Sequence, residues 1–200
     1  MTSNQKHTAP TIKGLILIGG KSTRMGTDKS ELHYHGKPQK EFVRDLLVSQ
    51  GIETFYSVQP FKSVESDAQV SEQIIDILPN LGPFGGICSA FQKDSNMAWF
   101  VLATDLPFVD ENLIKLLLKK RNPEKMATAV KGKNKQFPEP LITIYEPKVY
   151  PILLEYLARD CVSPREVLIN SDVEIVEVDD ELIRNVNTPE EYQETIKKIQ

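Results

Sequence analysis

The chain has 200 residues, 40% of them hydrophobic, and a formal net charge of −4. That apolar fraction is enough to fill the core of one domain. The acidic balance excludes a general nucleic-acid binder but not a small anionic ligand held by local cations.

Residues 1–10 are polar, lack an apolar h-region, and are expected to form a flexible tail ahead of one domain over 11–200. No run approaches the roughly 18 apolar residues of a membrane span, so a cytoplasmic protein with no membrane partner is expected. Cys88 and Cys161 are far apart and in no C-x-x-C pattern, which predicts buried structural thiols in a reducing compartment.

Strand and helix signals alternate along the chain. Ile12 to Ile18 reads as a buried strand, and Gln39 to Ser49 as a helix with Phe42, Val43, Leu46 and Leu47 on its apolar face. Thr54 to Val58 and Glu72 to Leu78 read as strands, and Gly85 to Gln92 as a short helix. Met97 to Ala103 is the clearest buried strand. Asp110 is placed to cap a helix reaching Lys120, whose terminal lysines suit its dipole.

Met126 to Val130 and Leu141 to Tyr145 read as further strands, and Pro147 to Ala158 and Pro164 to Ile169 as helices. Val173 to Val178 alternates apolar and acidic residues, as a half-exposed strand does. Thr188-Pro189-Glu190-Glu191 combines a capping box with proline at the first helical position. This alternation predicts an α/β fold: a single-domain three-layer sandwich around a mostly parallel, mixed sheet. Ligands of such sheets bind at the carboxyl ends of the strands.

The first strand empties into Gly19-Gly20-Lys21-Ser22-Thr23-Arg24-Met25-Gly26-Thr27-Asp28-Lys29. Bare glycine N–H groups among Lys21, Arg24 and Lys29 suit a phosphate. A Walker A pattern ending at Gly20-Lys21-Ser22 would need glycine where Leu15 stands, and no G-x-G-x-x-G spacing occurs.

Asp105, in Ala103-Thr104-Asp105-Leu106-Pro107, follows the best strand. A carboxylate there can hold Mg²⁺ beside a triphosphate, or simply cap the following turn. Asp76 ends another strand ahead of Gly82-Pro83-Phe84-Gly85-Gly86, whose glycines permit close backbone approach. The Lys131 to Gln136 run reads as a solvated loop, or as a lid touching an anionic substrate. His33 and His35 alternate like surface strand residues and make a poor metal site by themselves.

The string G-G-x-S-x-R-M-G-x-D-K resembles the signature loop of nucleotidyltransferases with a Rossmann-like fold, most closely the molybdenum cofactor guanylyltransferase family. The resemblance extends over about residues 12 to 199. It implies a nucleotide site of Leu17, Ile18, Gly19, Gly20, Lys29, Asp76, Gly82, Gly86 and Asp105. It implies catalytic roles for Arg24, Lys29 and Asp105, with Asp105 as the Mg²⁺ ligand. Asn185-Val186-Asn187-Thr188-Pro189 matches the family's N-x-N-T-P element, which makes Asn185 and Asn187 acceptor-binding candidates. Arg165, in Ser163-Pro164-Arg165, is a third.

The implied reaction transfers GMP from GTP to the terminal phosphate of molybdopterin, metal-free or molybdenum-bound, and releases pyrophosphate. A molybdopterin-delivering protein is an implied partner. Within the enzyme class, a cytidylyltransferase on the same cofactor and a sugar-phosphate nucleotidyltransferase are the alternatives. A nucleotide-binding scaffold without turnover is the alternative outside it. Three positions depart from the family pattern. Ile18 replaces the usual Ala, and the family's asparagine after the second strand is absent from Tyr56-Ser57-Val58-Gln59, where Gln59 or Ser57 is the candidate substitute. Glu139 stands where Gln or His is common, an added negative charge near a phosphorylated acceptor.

Overall fold

A computed structural model describes residues 8–18, 29–60 and 73–199. Among these residues lies a seven-stranded sheet. Its strands are β1 (Ile12–Leu17), β2 (Thr54–Val58), β3 (Gln73–Ile75), β4 (Ala98–Ala103), β5 (Ala127–Gly132), β6 (Glu139–Tyr145) and β7 (Val173–Val178), in the spatial order β3-β2-β1-β4-β6-β5-β7. β6 runs against both of its neighbours, and the other adjacent pairs are parallel. The helices are α1 (Gln39–Val48), α2 (Pro83–Lys93), α3 (Glu111–Lys120), α4 (Tyr150–Ala158), α5 (Pro164–Ile169) and α6 (Pro189–Ile199).

Helices cover both faces of the sheet. A Cβ on Gly14 of β1 would lie 2.7 Å from Leu47 Cδ1 of α1. Leu17 points the other way, and its Cδ2 lies 3.0 Å from where Gly86 of α2 would carry a Cβ. The two strand positions are an odd number of residues apart, so they face opposite sides. α3 packs with α1 on one side, while α4 packs with α2 and α5 on the other. β4 lies in the middle, buried at every position, which explains its unbroken apolar run Ala-Trp-Phe-Val-Leu-Ala.

The predicted caps are present. Asp110 Oδ1 accepts from Leu113 N at 2.8 Å. Thr188 Oγ1 accepts from Glu191 N at 3.2 Å, and Glu191 Oε2 accepts from Thr188 N at 3.1 Å, a reciprocal capping box. Other expectations need correction. α2 begins at Pro83, ahead of the expected Gly85, because Gly82 at φ +57° turns the chain and proline suits the first helical position. The segment 147–158 divides into a 3₁₀ turn, Pro147–Val149, followed by α4.

His33 and His35 do not lie on a strand. His35 stacks on Phe42 with ring centroids 3.6 Å apart, and its Nε2 hydrogen-bonds to the Pro107 carbonyl at 2.9 Å. The chain ahead of α1 is thereby fastened to the segment just past Asp105.

Candidate active site

The carboxyl ends of β1, β2, β3 and β4 lie on one edge of the sheet, and reversed β6 begins at that edge. Leu102 pairs with Ile142 across β4 and β6. Glu139, the first residue of β6, and Asp105, just past β4, both stand at this edge, near enough for the charge of Asp105 to act on Glu139.

Asp105 is half-buried and doubly held. Its carbonyl accepts from Val186 N at 2.9 Å, and its Oδ2 accepts from Asn185 Nδ2 at 3.1 Å. Its Oδ1 is buried and has no hydrogen-bond partner among the described residues. A desolvated carboxylate oxygen left open beside a satisfied one fits a cation ligand. Among the described residues no cluster of three or more His, Cys, Asp or Glu side chains is placed to hold a metal. A divalent cation there would take Asp105 as a ligand.

Asp76 follows β3 directly and is buried. Its Oδ1 accepts from Leu78 N at 2.9 Å and from Ser89 Oγ at 3.2 Å. Burial raises its pKa above the ordinary aspartate value, and those two hydrogen bonds oppose the rise. Together with Leu17, Ser57, Gln59, Gly82 and Pro83 it lines a small cleft. Gly85 and Gly86 permit close approach, and what approaches is the protein itself. A Cβ on Gly85 would lie 2.5 Å from the Leu78 carbonyl and 2.9 Å from both Asp76 oxygens. One on Gly86 would lie 2.6 Å from Ser57 Oγ.

A second, larger cavity of about 510 Å³ opens beside Asp105, within the size range of small-molecule sites. Arg165, Glu139, Asn185, Arg184, Lys135 and Phe137 contribute to its walls. Arg165 Nη2 stands 3.9 Å from Glu139 Oε2. Burial raises the Glu139 pKa, and the charge of Asp105 adds to the rise.

Leu17, Asp76 and Gly82 therefore share one cleft, and Asp105 is joined through Asn185 to the cavity that Arg165 lines. Ile18 directly follows β1 and is partly buried. Asn187 does not line the cavity; it is exposed, and its backbone N–H donates to Glu191 Oε2 at 2.7 Å. Gly19, Gly20 and Arg24 lie outside the described residues, as does the side chain of Lys29.

Sequence reasoning missed Phe137 and Arg184 as wall residues. The charged run 131–136 was the available signal for Lys135 and Gln136, both of which line the cavity, while Lys131 stays in β5 and pairs with Glu177 at 3.0 Å. For Arg184, whose guanidinium lies 4.7 Å from the Phe108 ring centre, no local pattern gave notice.

No helix among the described residues is long and apolar enough to cross a membrane. The molybdenum cofactor biosynthesis bifunctional protein of Synechocystis sp. is 28% identical over 180 residues, covering 90% of this chain and 52% of that protein. The chain thus spans about half the length of that relative. A probable molybdenum cofactor guanylyltransferase of Flavobacterium johnsoniae is 26% identical, covering 90% of this chain and 94% of that one. The crystal structure of molybdopterin-guanine dinucleotide biosynthesis protein A from Archaeoglobus fulgidus superposes with a TM-score of 0.75 at 25% identity, covering 93% of this chain and 97% of that one. Residues 14–174 match the model of the MobA-like NTP transferase domain, and the chain belongs to that family.

Proposed function

We propose that this chain transfers GMP from GTP to the terminal phosphate of molybdopterin, using Mg²⁺ held at Asp105. A phosphate oxygen of the acceptor attacks the α-phosphorus. The new P–O bond forms, the bond to the bridging α–β oxygen breaks, and pyrophosphate leaves with that electron pair. The acceptor phosphate is already anionic, so no side-chain nucleophile is needed. The protein's task is to bring two anions into line and to balance their charge. A divalent ion bound at Asp105 would neutralise part of the triphosphate charge.

The residues divide this work. Asn185 holds one oxygen of Asp105, which would leave the other to hold the ion. Asp76, with Gly82 and Leu17 beside it, receives the nucleoside. Arg165 faces the acceptor cavity and meets the molybdopterin phosphate. Gly19, Gly20, Arg24 and Lys29 bind the triphosphate, and Asn187 contributes to the acceptor side. A protein that hands over molybdopterin belongs to the same reading.

The observation that carries this reading is the buried Oδ1 of Asp105 at the carboxyl edge of the sheet, which has no hydrogen-bond partner among the described residues. Incubation with GTP, CTP or UTP, together with Mg²⁺ and molybdopterin, tests it through pyrophosphate release. Release is expected only when GTP and molybdopterin are both present. Equal turnover of CTP would move the assignment to cytidylyl transfer, and nucleotide binding without release would favour a scaffold.

A further inference from the structure

Glu139 is the charge that a phosphate-binding cavity would be expected to avoid, yet the fold holds it there. Buried Pro138 and Pro140 flank it and fix the local backbone. The β5–β6 register shifts between Ala129 and Val130, and Val130 then pairs with Glu139 itself. The partner on β6 jumps from Thr143 to Glu139 within that one step, so β6 leaves regular register just where Glu139 stands.

The carboxylate is only 13% exposed. Among the described residues it accepts one hydrogen bond, from Leu141 N at 3.2 Å, and its ion pair with Arg165 is long at 3.9 Å. A carboxylate offers about four acceptor positions, so much of its capacity is turned toward the cavity and desolvated. The wall carries three cations, Lys135, Arg165 and Arg184, against two further carboxylates, Asp180 and Glu181, and Phe137, 42% exposed, adds a flat apolar surface.

A ligand that satisfies all three features carries a phosphate, a planar ring, and two adjacent N–H donors. A 2-amino-4-oxopteridine has such an edge, with its ring N–H beside its exocyclic amine. We infer that Glu139 reads this edge, one carboxylate oxygen accepting from the ring N–H and the other from the 2-amino group. Glu139 is then the specificity-determining contact for the acceptor, and Phe137 offers its ring as a stacking surface. This inference rests on the guanylyl-transfer reading for the identity of the acceptor.

The test compares two fluorescent probes on the full chain: 6-hydroxymethylpterin phosphate, and its lumazine counterpart with oxygen in place of the 2-amino group. A site built around a donor rejects an analogue lacking it, so the wild type is expected to favour the pterin by about tenfold or more. Glu139→Gln keeps the shape but replaces one acceptor with a donor. It is expected to lower pterin affinity by about tenfold, to raise lumazine affinity because the new amide N–H can donate to the 2-oxo group, and so to erase or reverse the preference. Binding of a fluorescent GTP analogue to the variant checks its fold.

Equal loss of both probes would mean that Glu139 acts only by orienting Arg165, and would overturn the inference. So would a wild type with no preference. The guanylyl-transfer reading fails separately: a Glu139-dependent pterin preference without pyrophosphate release from GTP and molybdopterin would sink that reading and leave this contact standing.

Discussion

Asn185 Nδ2 donates to Asp105 Oδ2 at 3.1 Å across 80 residues of chain, and the next residue, Val186, donates its N–H to the Asp105 carbonyl at 2.9 Å. The turn after β4 and the approach to α6 are thereby locked around one carboxylate. Asn185→Ala removes the orienting hydrogen bond and is expected to lower turnover about 10–100-fold, the usual range for such a partner of a metal ligand. Asp105→Ala is expected to cost about 10²–10³-fold or more. Pyrophosphate release measured beside thermal melts checks both. Wild-type turnover in Asp105→Ala would remove its metal role.

The glycines of α2 predict an order of damage. In Gly85→Ala the new methyl meets a backbone oxygen, Leu78 O, and the Asp76 carboxylate. Neither moves without shifting the cleft that Asp76 lines, so overpacking is expected to cost about 1–3 kcal/mol and, on the proposed nucleotide role of that cleft, to raise KM for GTP. In Gly86→Ala the nearest atom is Ser57 Oγ, the end of a side chain. A smaller loss is expected, relieved by Ser57→Gly. Urea unfolding of the two single variants and of the Gly86→Ala/Ser57→Gly double variant measures this order.

Arg121 secures the fold away from the site. Its Nε and Nη2 donate to Glu146 Oε1 at 2.6 Å and Oε2 at 2.9 Å, and Nη2 also reaches the Pro10 carbonyl at 2.8 Å. Glu146 is fully buried. Arg121→Met strands that charge and is expected to destabilise by about 3–5 kcal/mol. Arg121→Met with Glu146→Leu is expected to recover most of the loss, because no buried charge is left unpaired. Denaturant midpoints of the three proteins check this.

Asp76 predicts a pH slope of defined sign. Its folded pKa is raised, so the folded state holds the proton more tightly than the unfolded chain does. Stability therefore falls as pH climbs from the ordinary aspartate value through the raised one. Asp76→Asn retains the oxygen that accepts from Leu78 and Ser89 and is expected to flatten this slope. A fall of equal steepness in the variant would assign the slope to another group.

Apolar runs and caps were legible in the sequence because each is a local signal. Ala98–Ala103, Asp110 and the Thr188/Glu191 box are found where the pattern put them. The direction of β6 was not legible, since Leu141 to Tyr145 reads the same whichever way the strand runs in a covered sheet. That reversal brings Glu139 to the edge where β1 to β4 end, so its placement could not be read locally either. Resemblance alone named Asn185, and no residue near it in sequence reveals that one of its donors serves Asp105. His35 was misread because alternation over three residues, His33-Tyr34-His35, also fits a bent segment held by Phe42 and Pro107.

The most direct measurement is a crystal of the full chain soaked with a non-hydrolysable GTP analogue and Mn²⁺, read by anomalous scattering. The ion is expected at coordination distance, about 2.2 Å, from Asp105 Oδ1. The triphosphate should lie between it and the 19–29 loop, and the nucleoside should lie against Asp76. An ion or triphosphate bound elsewhere, with Asp105 Oδ1 still without a ligand, would contradict the account.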